Sequence, residues 1–232
     1  MTVGQYALKK KMTKIHFMLT FWFFAYRIES VKGFERRGIM GKIEENKLQK
    51  KTRLMDTAYE LYTSQGIVKT TIEDIARKAG IAKGTFYLYF KDKYDLQEKL
   101  IAHKSEQLFD HAVKNSGYEN CTSAEDKILA IVDDILDQLK SERLTLKFIY
   151  KNLNWGVFRR TVDKPDSDYL PFLVSIIGEP KDAEKLEIAV YTIFELVSST
   201  CYSVILEEKP CDLETYKPYL HKSIRAIIDE LR

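Results

Sequence analysis

Residues 71–93 read TIEDIARKAGIAKGTFYLYFKDK, and this stretch decides the fold class of the 232-residue chain. It predicts two short helices joined by a tight turn, because an apolar stripe at helical spacing ends at Gly80 and a second apolar face begins a few residues later. Two helices joined in this way can place the second helix in the major groove of DNA. The stretch therefore predicts a helix-turn-helix unit.

The first predicted helix has a narrow apolar face and a capped start. Its apolar stripe consists of Ile72, Ile75, Ala76 and Ala79. Thr70 or Thr71 can cap the N-terminus, and Glu73 or Asp74 lies three residues further on, as in a capping box. Gly80 ends the helix because glycine adopts the left-handed conformation without a Cβ clash.

The second predicted helix starts near Ala82 or Lys83 and has two different faces. Phe86 and Phe90 share one face and are expected to seal the helix onto its neighbour. On the opposite arc, Gly84 allows close approach of DNA to the backbone. Thr85 suits a base edge or a thymine methyl group. The tyrosines and lysines of the stretch can reach phosphate oxygens, and these are Lys83, Tyr87, Tyr89, Lys91 and Lys93.

Residues from about Lys47 to Ile101 resemble the tetracycline-repressor (TetR/AcrR) family of bacterial transcription regulators. The matching motifs are AYELY at 58–62 before Gly66, TIEDIA at 71–76, AGI at 79–81 and KGTFYLYF at 83–90 followed by Lys91 and Lys93. An upstream amphipathic helix completes a three-helix unit, with its stripe at Leu54, Ala58, Leu61 and Tyr62. By position, the resemblance implies DNA contacts at Thr71, Lys83, Gly84, Thr85, Tyr87, Leu88, Tyr89 and Lys93.

Two positions depart from the family pattern. Ala82 stands where the family usually has a serine that caps the helix and contacts phosphate, so that contact is missing here. Tyr89 stands where histidine is common, and its hydroxyl can still reach a phosphate with a different hydrogen bond.

The charge is unevenly distributed along the chain. Lys and Arg outnumber Asp and Glu by eight to two in residues 1–39 and by thirteen to nine in residues 40–104, whereas residues 105–232 carry sixteen against twenty-three. A basic segment followed by an acidic body fits phosphate attraction confined to one part of the protein. Ordinary surface scatter would also give an excess of four over residues 40–104.

The sequence carries little that suggests catalysis or metal binding. Cys121, Cys201 and Cys211 are too few and too scattered for a disulfide framework or a metal cage. His103 and His111 are two helical turns apart, too far for one metal ion. No zinc-protease, serine-hydrolase or phosphate-loop motif occurs. We expect reduced thiols, no cofactor, no metal and no catalytic residue; a helical enzyme is the remote alternative.

Residues 1–39 differ from the rest of the chain. Four lysines precede an apolar run at 15–26, which is too short for a comfortable transmembrane helix. One interpretation is that Met40 is the true start, since Arg36-Arg37-Gly38 can be encoded by a ribosome-binding sequence. A membrane-associated arm tethered through residues 15–26 and a packed extra helix are the alternatives. Residues 40–47 resemble a short polar arm under the first interpretation.

From Tyr94 onward the pattern predicts one helix after another. The expected helices cover about 94–116, 123–139, 144–158, 169–177, 182–208 and 213–231, with a loop at 163–167. The helix from Tyr94 to Ser116 would link the DNA-binding unit to the body and act as its lever. The helix from Asp182 is apolar on more than one face, as expected for a helix packed on both sides.

The chain is therefore predicted to be all-α, with an atypical extension (1–39), a helix-turn-helix DNA-binding domain (40–104) and a helical ligand-binding and dimerisation domain (105–232). The resemblance implies a cytoplasmic regulator, expected to be a repressor, that binds a palindromic operator as a homodimer through its C-terminal helices. It also implies a small-molecule inducer inside the body. Aromatic residues supply the candidate lining: Phe148, Trp155, Phe158, Tyr169, Phe172, Tyr191, Phe194 and Tyr202.

Overall fold

The computed structural model describes residues 42–150, 153–154, 156–157, 169–177 and 183–231. The chain divides into two compact units at the bond between Thr52 and Arg53. The interpretations of residues 1–39, the expected start at Met40 and the predicted loop at 163–167 lie outside the described residues.

The described part of the chain is helical, which confirms the all-α prediction. Its helices are α1 (Lys42–Gln65), α2 (Ile72–Lys78), α3 (Lys83–Phe86), α4 (Lys93–Asn115), α5 (Ala124–Ser141), α6 (Arg143–Tyr150), α7 (Tyr169–Ile177), α8 (Ala183–Tyr202) and α9 (Leu213–Asp229). A short 3₁₀ turn lies at Tyr118–Asn120, and α8 continues into a π-helical turn at Ser203–Glu207.

The ends of α2 follow the local chemistry of the sequence. Thr71 rather than Thr70 is the N-cap, and Thr71 and Asp74 form a reciprocal capping box. At the other end Gly80 has a φ of 65°. The N–H of Ile81 donates to the carbonyl of Ala76 at 2.9 Å, and the N–H of Gly80 donates to Arg77 at 3.1 Å. This pair of bonds is a Schellman motif, which turns the chain sharply toward α3.

Three helix boundaries differ from the prediction. The segment expected to be a polar arm is helical from Lys42 onward, because extending an existing helix adds one hydrogen bond for each residue that is ordered. The described helix after Arg143 ends at Tyr150, short of the predicted residue 158. The second helix of the helix-turn-helix has only four α-helical residues, and turns continue it to Phe90.

One apolar core runs through the unit that begins at Arg53. It extends from Leu54 on α1 to Ile228 on α9. α5 packs against α4, α6, α7 and α9. The predicted domain boundary at 104/105 falls inside α4, so this single helix carries residues of both proposed domains; the boundary itself stays a prediction.

Candidate nucleic-acid interface and ligand cavity

α3 buries one side and exposes the other. The Phe86 and Phe90 side chains are fully buried, and their ring centroids are 5.5 Å apart. On the opposite side Gly84 is exposed, Thr85 is half-buried, and 54% of Tyr87 is exposed to solvent. The aromatic anchors therefore fix the helix to the protein while its other face is open to a partner.

The remaining residues near this face are also at the surface. Leu88 is 78% exposed, which is unusual for a leucine on a packed helix, and Tyr89 is half-buried. The exposed ammonium of Lys83 lies 3.5 Å from a carboxylate oxygen of Glu73 on α2. An exposed pair of this kind is worth at most about 1 kcal/mol, so it leaves Lys83 able to turn toward a phosphate.

The two helix starts differ in their capping. The Thr71 hydroxyl donates to the Asp74 carboxylate at 2.6 Å and accepts from the Asp74 N–H at 3.1 Å. Hydrogen bonds from the Thr71 side chain and backbone hold the pKa of Asp74 below its usual range. Ala82 has extended N-cap geometry at the start of α3 but no side-chain hydrogen bond. The sequence-based expectation of a missing cap there is confirmed.

Lys93 occupies a different environment from the other predicted DNA contacts. Its side chain is half-buried, and its ammonium donates to the backbone carbonyls of Ile67, Val68 and Thr70. The sequence motif did not reveal these bonds, because the acceptors are backbone atoms 23 to 26 residues away in sequence.

An apolar cavity of about 190 Å³ lies in the helical body. Its walls come from α4 to α9 and from Leu153: Ser105, Leu108, Phe109, Ile128, Ile131, Val132, Ile135, Leu139, Leu146, Ile149, Tyr150, Leu153, Leu173, Ile177, Ala189, Val190, Ile193, Phe194, Val197, Ser198, Cys201, Ile228 and Leu231. None of these side chains carries a formal charge at neutral pH. Burial raises the pKa of the Cys201 thiol to about 12, so the thiol stays protonated. Such a surface suits a neutral, apolar ligand group.

Of the eight aromatic candidates for the cavity, one lies on its wall, four lie elsewhere and three have side chains outside the described residues, so their ligand-binding role stays a prediction. Phe194 is on the cavity wall. Phe148 instead packs against α1, Phe172 meets two other rings edge to face, and Tyr202 stacks on Tyr150 with 3.8 Å between the ring centroids. Tyr191 is 43% exposed. The side chains of Trp155, Phe158 and Tyr169 lie outside the described part of the chain. The sequence pattern alone did not show which way these aromatic side chains point. Branched aliphatic residues line most of the cavity.

α6 connects the cavity to the helix that precedes the helix-turn-helix. Leu146 and Ile149 on α6 line the cavity. On the α1-facing side of α6, the Thr145 hydroxyl lies 2.8 Å from the hydroxyl of Tyr59 on α1, and Phe148 packs edge to face against the same tyrosine at 5.5 Å. The sequence pattern indicated α4 as the lever and did not reveal this second connection, because Tyr59 and Thr145 are 86 residues apart.

α8 and α9 expose apolar side chains within the described residues. Ile188 is 57% exposed and Tyr219 is 69% exposed. The stretch Glu184–Glu207 is long and apolar enough to cross a membrane by length and composition, and 22% of its most apolar window is buried within this chain. Core helices of soluble proteins share this length and composition. The expectation that this helix packs on both sides stays a prediction.

The described residues offer no group of three or more His, Cys, Asp or Glu side chains that could hold a metal ion. His103 and His111 are both exposed, and His111 lies 3.0 Å from the carboxylate of Asp134. Cys121, Cys201 and Cys211 are free thiols.

Known proteins resemble this chain in sequence. Residues 54–100 match the family described as bacterial regulatory proteins, tetR family. The chain is 26% identical over 185 residues to the HTH-type transcriptional regulator BetI of Escherichia coli O17:K52:H18, covering 78% of this chain and 93% of the relative. It is 24% identical over 178 residues to the fatty acid metabolism regulator protein of Bacillus subtilis, covering 72% and 89%.

Solved structures share the fold. The transcriptional regulator FadR from Bacillus subtilis, solved in complex with stearoyl-CoA, superposes with a TM-score of 0.53 at 21% sequence identity. That match covers 75% of this chain and 96% of the other.

Proposed function

Because this chain belongs to the tetR family of bacterial regulatory proteins, we propose that it is a transcription repressor that binds a palindromic operator as a homodimer and is released by an apolar small molecule. The observation that carries this proposal is the two-sided α3. Phe86 and Phe90 anchor it in the core, while Gly84, Tyr87 and Leu88 are exposed.

Each residue on the open face of α3 suits a group on DNA. A Cβ at Gly84 would have no atom within 4 Å, so the space beside the backbone is open. A phosphate or base can therefore approach the backbone closely at this position. Thr85 and Leu88 suit base edges and thymine methyl groups. The Tyr87 hydroxyl and the Lys83 ammonium suit phosphate oxygens, which set the register of the protein on the duplex. Thr71 and Tyr89 flank this face.

Selection from a random-sequence duplex library tests the DNA-binding role, because it works without a known operator sequence. We expect a palindrome with half-sites about one helical turn apart. Lys83→Met should weaken binding and lower the slope of log affinity against log salt by about 0.9 for each phosphate that the protein no longer neutralises. Tyr87→Ala should weaken binding without unfolding the protein.

Lys114→Met is the matched control for these variants, since Lys114 is an exposed lysine in the last turn of α4, outside the helix-turn-helix. Equal loss of affinity in Lys83→Met and Lys114→Met would contradict the assignment of α3. A selection that returns no enriched sequence would contradict sequence-specific DNA binding.

The exposed apolar surface of α8 and α9 supports the homodimer. A second copy packed on these helices would cover Ile188, Tyr191 and Tyr219, which are exposed in one chain. A twofold axis through this surface would also present two copies of α3 to the two halves of a palindrome. The same contact removes the need for a membrane to cover the apolar stretch at Glu184–Glu207.

The cavity supports a hydrophobic effector. An apolar cavity of about 150 Å³ in another protein takes up benzene, and the cavity here is about 190 Å³. A hydrocarbon ring or part of an acyl chain therefore fits the space, and Ser105 and Ser198 on its wall offer hydroxyl groups. A relative was solved with stearoyl-CoA, so acyl-CoA thioesters are the first ligands to test.

Release from the selected operator by an acyl-CoA series of increasing chain length tests this assignment. Ile193→Trp should weaken binding of the best acyl-CoA by at least roughly tenfold, because the larger ring fills the cavity. Ile193→Leu conserves volume and should bind nearly as the wild type does. Unchanged binding in the tryptophan variant would place the ligand elsewhere.

The contacts of α6 and α4 support a route from the cavity to the DNA-binding unit. A ligand shifts the DNA-binding equilibrium only if it binds one arrangement of the protein more tightly than another. α6 lines the cavity and contacts Tyr59 of α1, and α4 lines the cavity through Leu108 and begins just after α3. Both helices are thus placed to move when the cavity fills.

We place the protein in the cytoplasm, where a bacterial regulator meets chromosomal DNA, and assign it no catalytic step. Cell fractionation tests the location. Recovery of the protein in the membrane fraction would favour the alternative of a regulator tethered through residues 15–26.

A further inference from the structure

The Lys93 ammonium uses its whole donor capacity inside the protein. Its Nζ lies 2.9 Å from the carbonyl oxygen of Ile67, 3.2 Å from that of Val68 and 3.0 Å from that of Thr70. A protonated lysine has three N–H donors and no acceptor. A phosphate oxygen could therefore reach this ammonium only after one of the three bonds had been broken.

The three carbonyls belong to the loop that joins α1 to α2. Thr70 is fully buried in this loop, and its hydroxyl donates to the carbonyl of Gly66 at 2.8 Å. The next residue, Thr71, is the N-cap of α2. The conformation of the loop thus sets where α2 begins and how α2 supports α3.

The backbone of Lys93 is tied to α1 as well. The Tyr62 hydroxyl donates to the carbonyl oxygen of Lys93 at 2.8 Å. Burial, with smaller effects from Asp92 and Tyr94, raises the pKa of Tyr62, so this hydroxyl keeps its proton and remains a donor. One residue at the start of α4 therefore joins α1, the loop and α4.

We propose that Lys93 is a positioning residue of the DNA-binding unit: its ammonium holds the 67–70 loop in place and makes no phosphate contact. This inference rests on the proposed DNA-binding function. It replaces the role that the family resemblance implies for Lys93, and it separates Lys93 from Lys83, whose exposed ammonium has a single exposed carboxylate 3.5 Å away.

Lys93→Arg distinguishes the two roles because it keeps the positive charge. Arginine binds phosphate at least as well as lysine does, but its planar guanidinium cannot direct three donors at carbonyls that converge on one point. Lys114→Arg is the matched control, since Lys114 is an exposed lysine in the last turn of α4, outside the helix-turn-helix. The measurements are amide hydrogen exchange across residues 66–75 and affinity for a random-sequence 40-base-pair duplex at low salt.

A positioning role predicts that Lys93→Arg speeds exchange across residues 66–75 by about tenfold, as expected when hydrogen bonds to a charged donor are removed. DNA affinity should fall as well, while Lys114→Arg leaves both quantities unchanged. Lys93→Met should show the same faster exchange.

Wild-type exchange in Lys93→Arg together with unchanged or tighter DNA binding would overturn the proposal, because a phosphate contact predicts that result. If the wild-type protein failed to bind duplex DNA at all, the proposed function would be lost. The exchange comparison would then still decide whether Lys93 holds the loop.

Discussion

Gly80 and Gly84 lie four residues apart in the helix-turn-helix and serve different purposes. Gly80 has a φ of 65°, a conformation that residues with a Cβ rarely adopt, whereas Gly84 has ordinary helical geometry and an exposed surface. Neither position has an atom within 4 Å of where a Cβ would stand. An alanine substitution therefore tests backbone conformation alone at Gly80. At Gly84 it tests whether DNA approaches the surface of the helix.

We expect Gly84→Ala to stabilise the fold by up to about 1 kcal/mol, since alanine favours helix over glycine, and yet to weaken operator binding. Gly80→Ala should cost about 1 kcal/mol or more because of its left-handed conformation. Urea unfolding and fluorescence anisotropy on the selected operator measure the two effects. Tighter DNA binding by Gly84→Ala would show that this surface does not approach DNA.

Cys201 shows how burial controls reactivity at a single atom. Its thiol has a pKa of about 12 because it is buried on the cavity wall, whereas Cys121 and Cys211 are half-buried free thiols. The thiolate is the reactive form of cysteine, so the raised pKa lowers the reactivity of Cys201.

We expect iodoacetamide at pH 8 to alkylate Cys121 and Cys211 well before Cys201. Peptide mass spectrometry over a time course gives the three rates. Cys201 reacting as fast as Cys211 would mean that the cavity opens readily to solvent.

α6 is the element that faces both the cavity and α1. The Thr145 hydroxyl donates its single proton to the Glu142 carboxylate at 2.8 Å, so in the bond between Thr145 and Tyr59 the tyrosine is the donor. The Lys104 ammonium lies over the Tyr59 ring, 4.6 Å from its centroid. The hydrogen bond ties α1 to α6, and the ammonium over the ring ties α1 to α4.

A double-mutant cycle with Tyr59→Phe and Thr145→Val measures this link. Each substitution removes one side of the bond, and we expect an interaction energy of about 0.5–1.5 kcal/mol from urea unfolding. Tyr59→Phe should also reduce the ratio of operator affinities measured without and with the best acyl-CoA. Full retention of that ratio would assign the coupling to α4 alone.

At the scale of the whole molecule, we propose that the exposed apolar faces of α8 and α9 form the dimer surface. Ile188→Glu places a charge at the centre of the proposed dimer surface, and we expect it to weaken dimerisation by roughly a hundredfold. Operator affinity should fall with it, because two linked copies of α3 read the palindrome together.

Sedimentation equilibrium measures the change in assembly. Glu119→Lys is the control, since Glu119 is exposed in the 3₁₀ turn between α4 and α5. An Ile188→Glu variant that stayed dimeric would move the interface away from this face of α8.

The sequence by itself determined the elements of this protein, since capping, glycine stops and apolar periodicity depend on residues within one or two helical turns. It predicted the boundaries of α2, the two-sided α3, the missing cap at Ala82 and most of the body helices. The motifs between residues 58 and 93 were sufficient to indicate the family, while the DNA contacts on α3 stay a prediction.

Only the tertiary structure decided which side chains meet across the fold. The three carbonyls that hold Lys93, the bond between Tyr59 and Thr145, and the aliphatic wall of the cavity all join residues far apart in sequence. Helical periodicity predicts that a residue such as Phe148 is buried. The helix against which Phe148 packs depends on how the other helices lie. The way a buried side chain points is set by the folded chain, because it depends on close packing among helices that are distant in sequence.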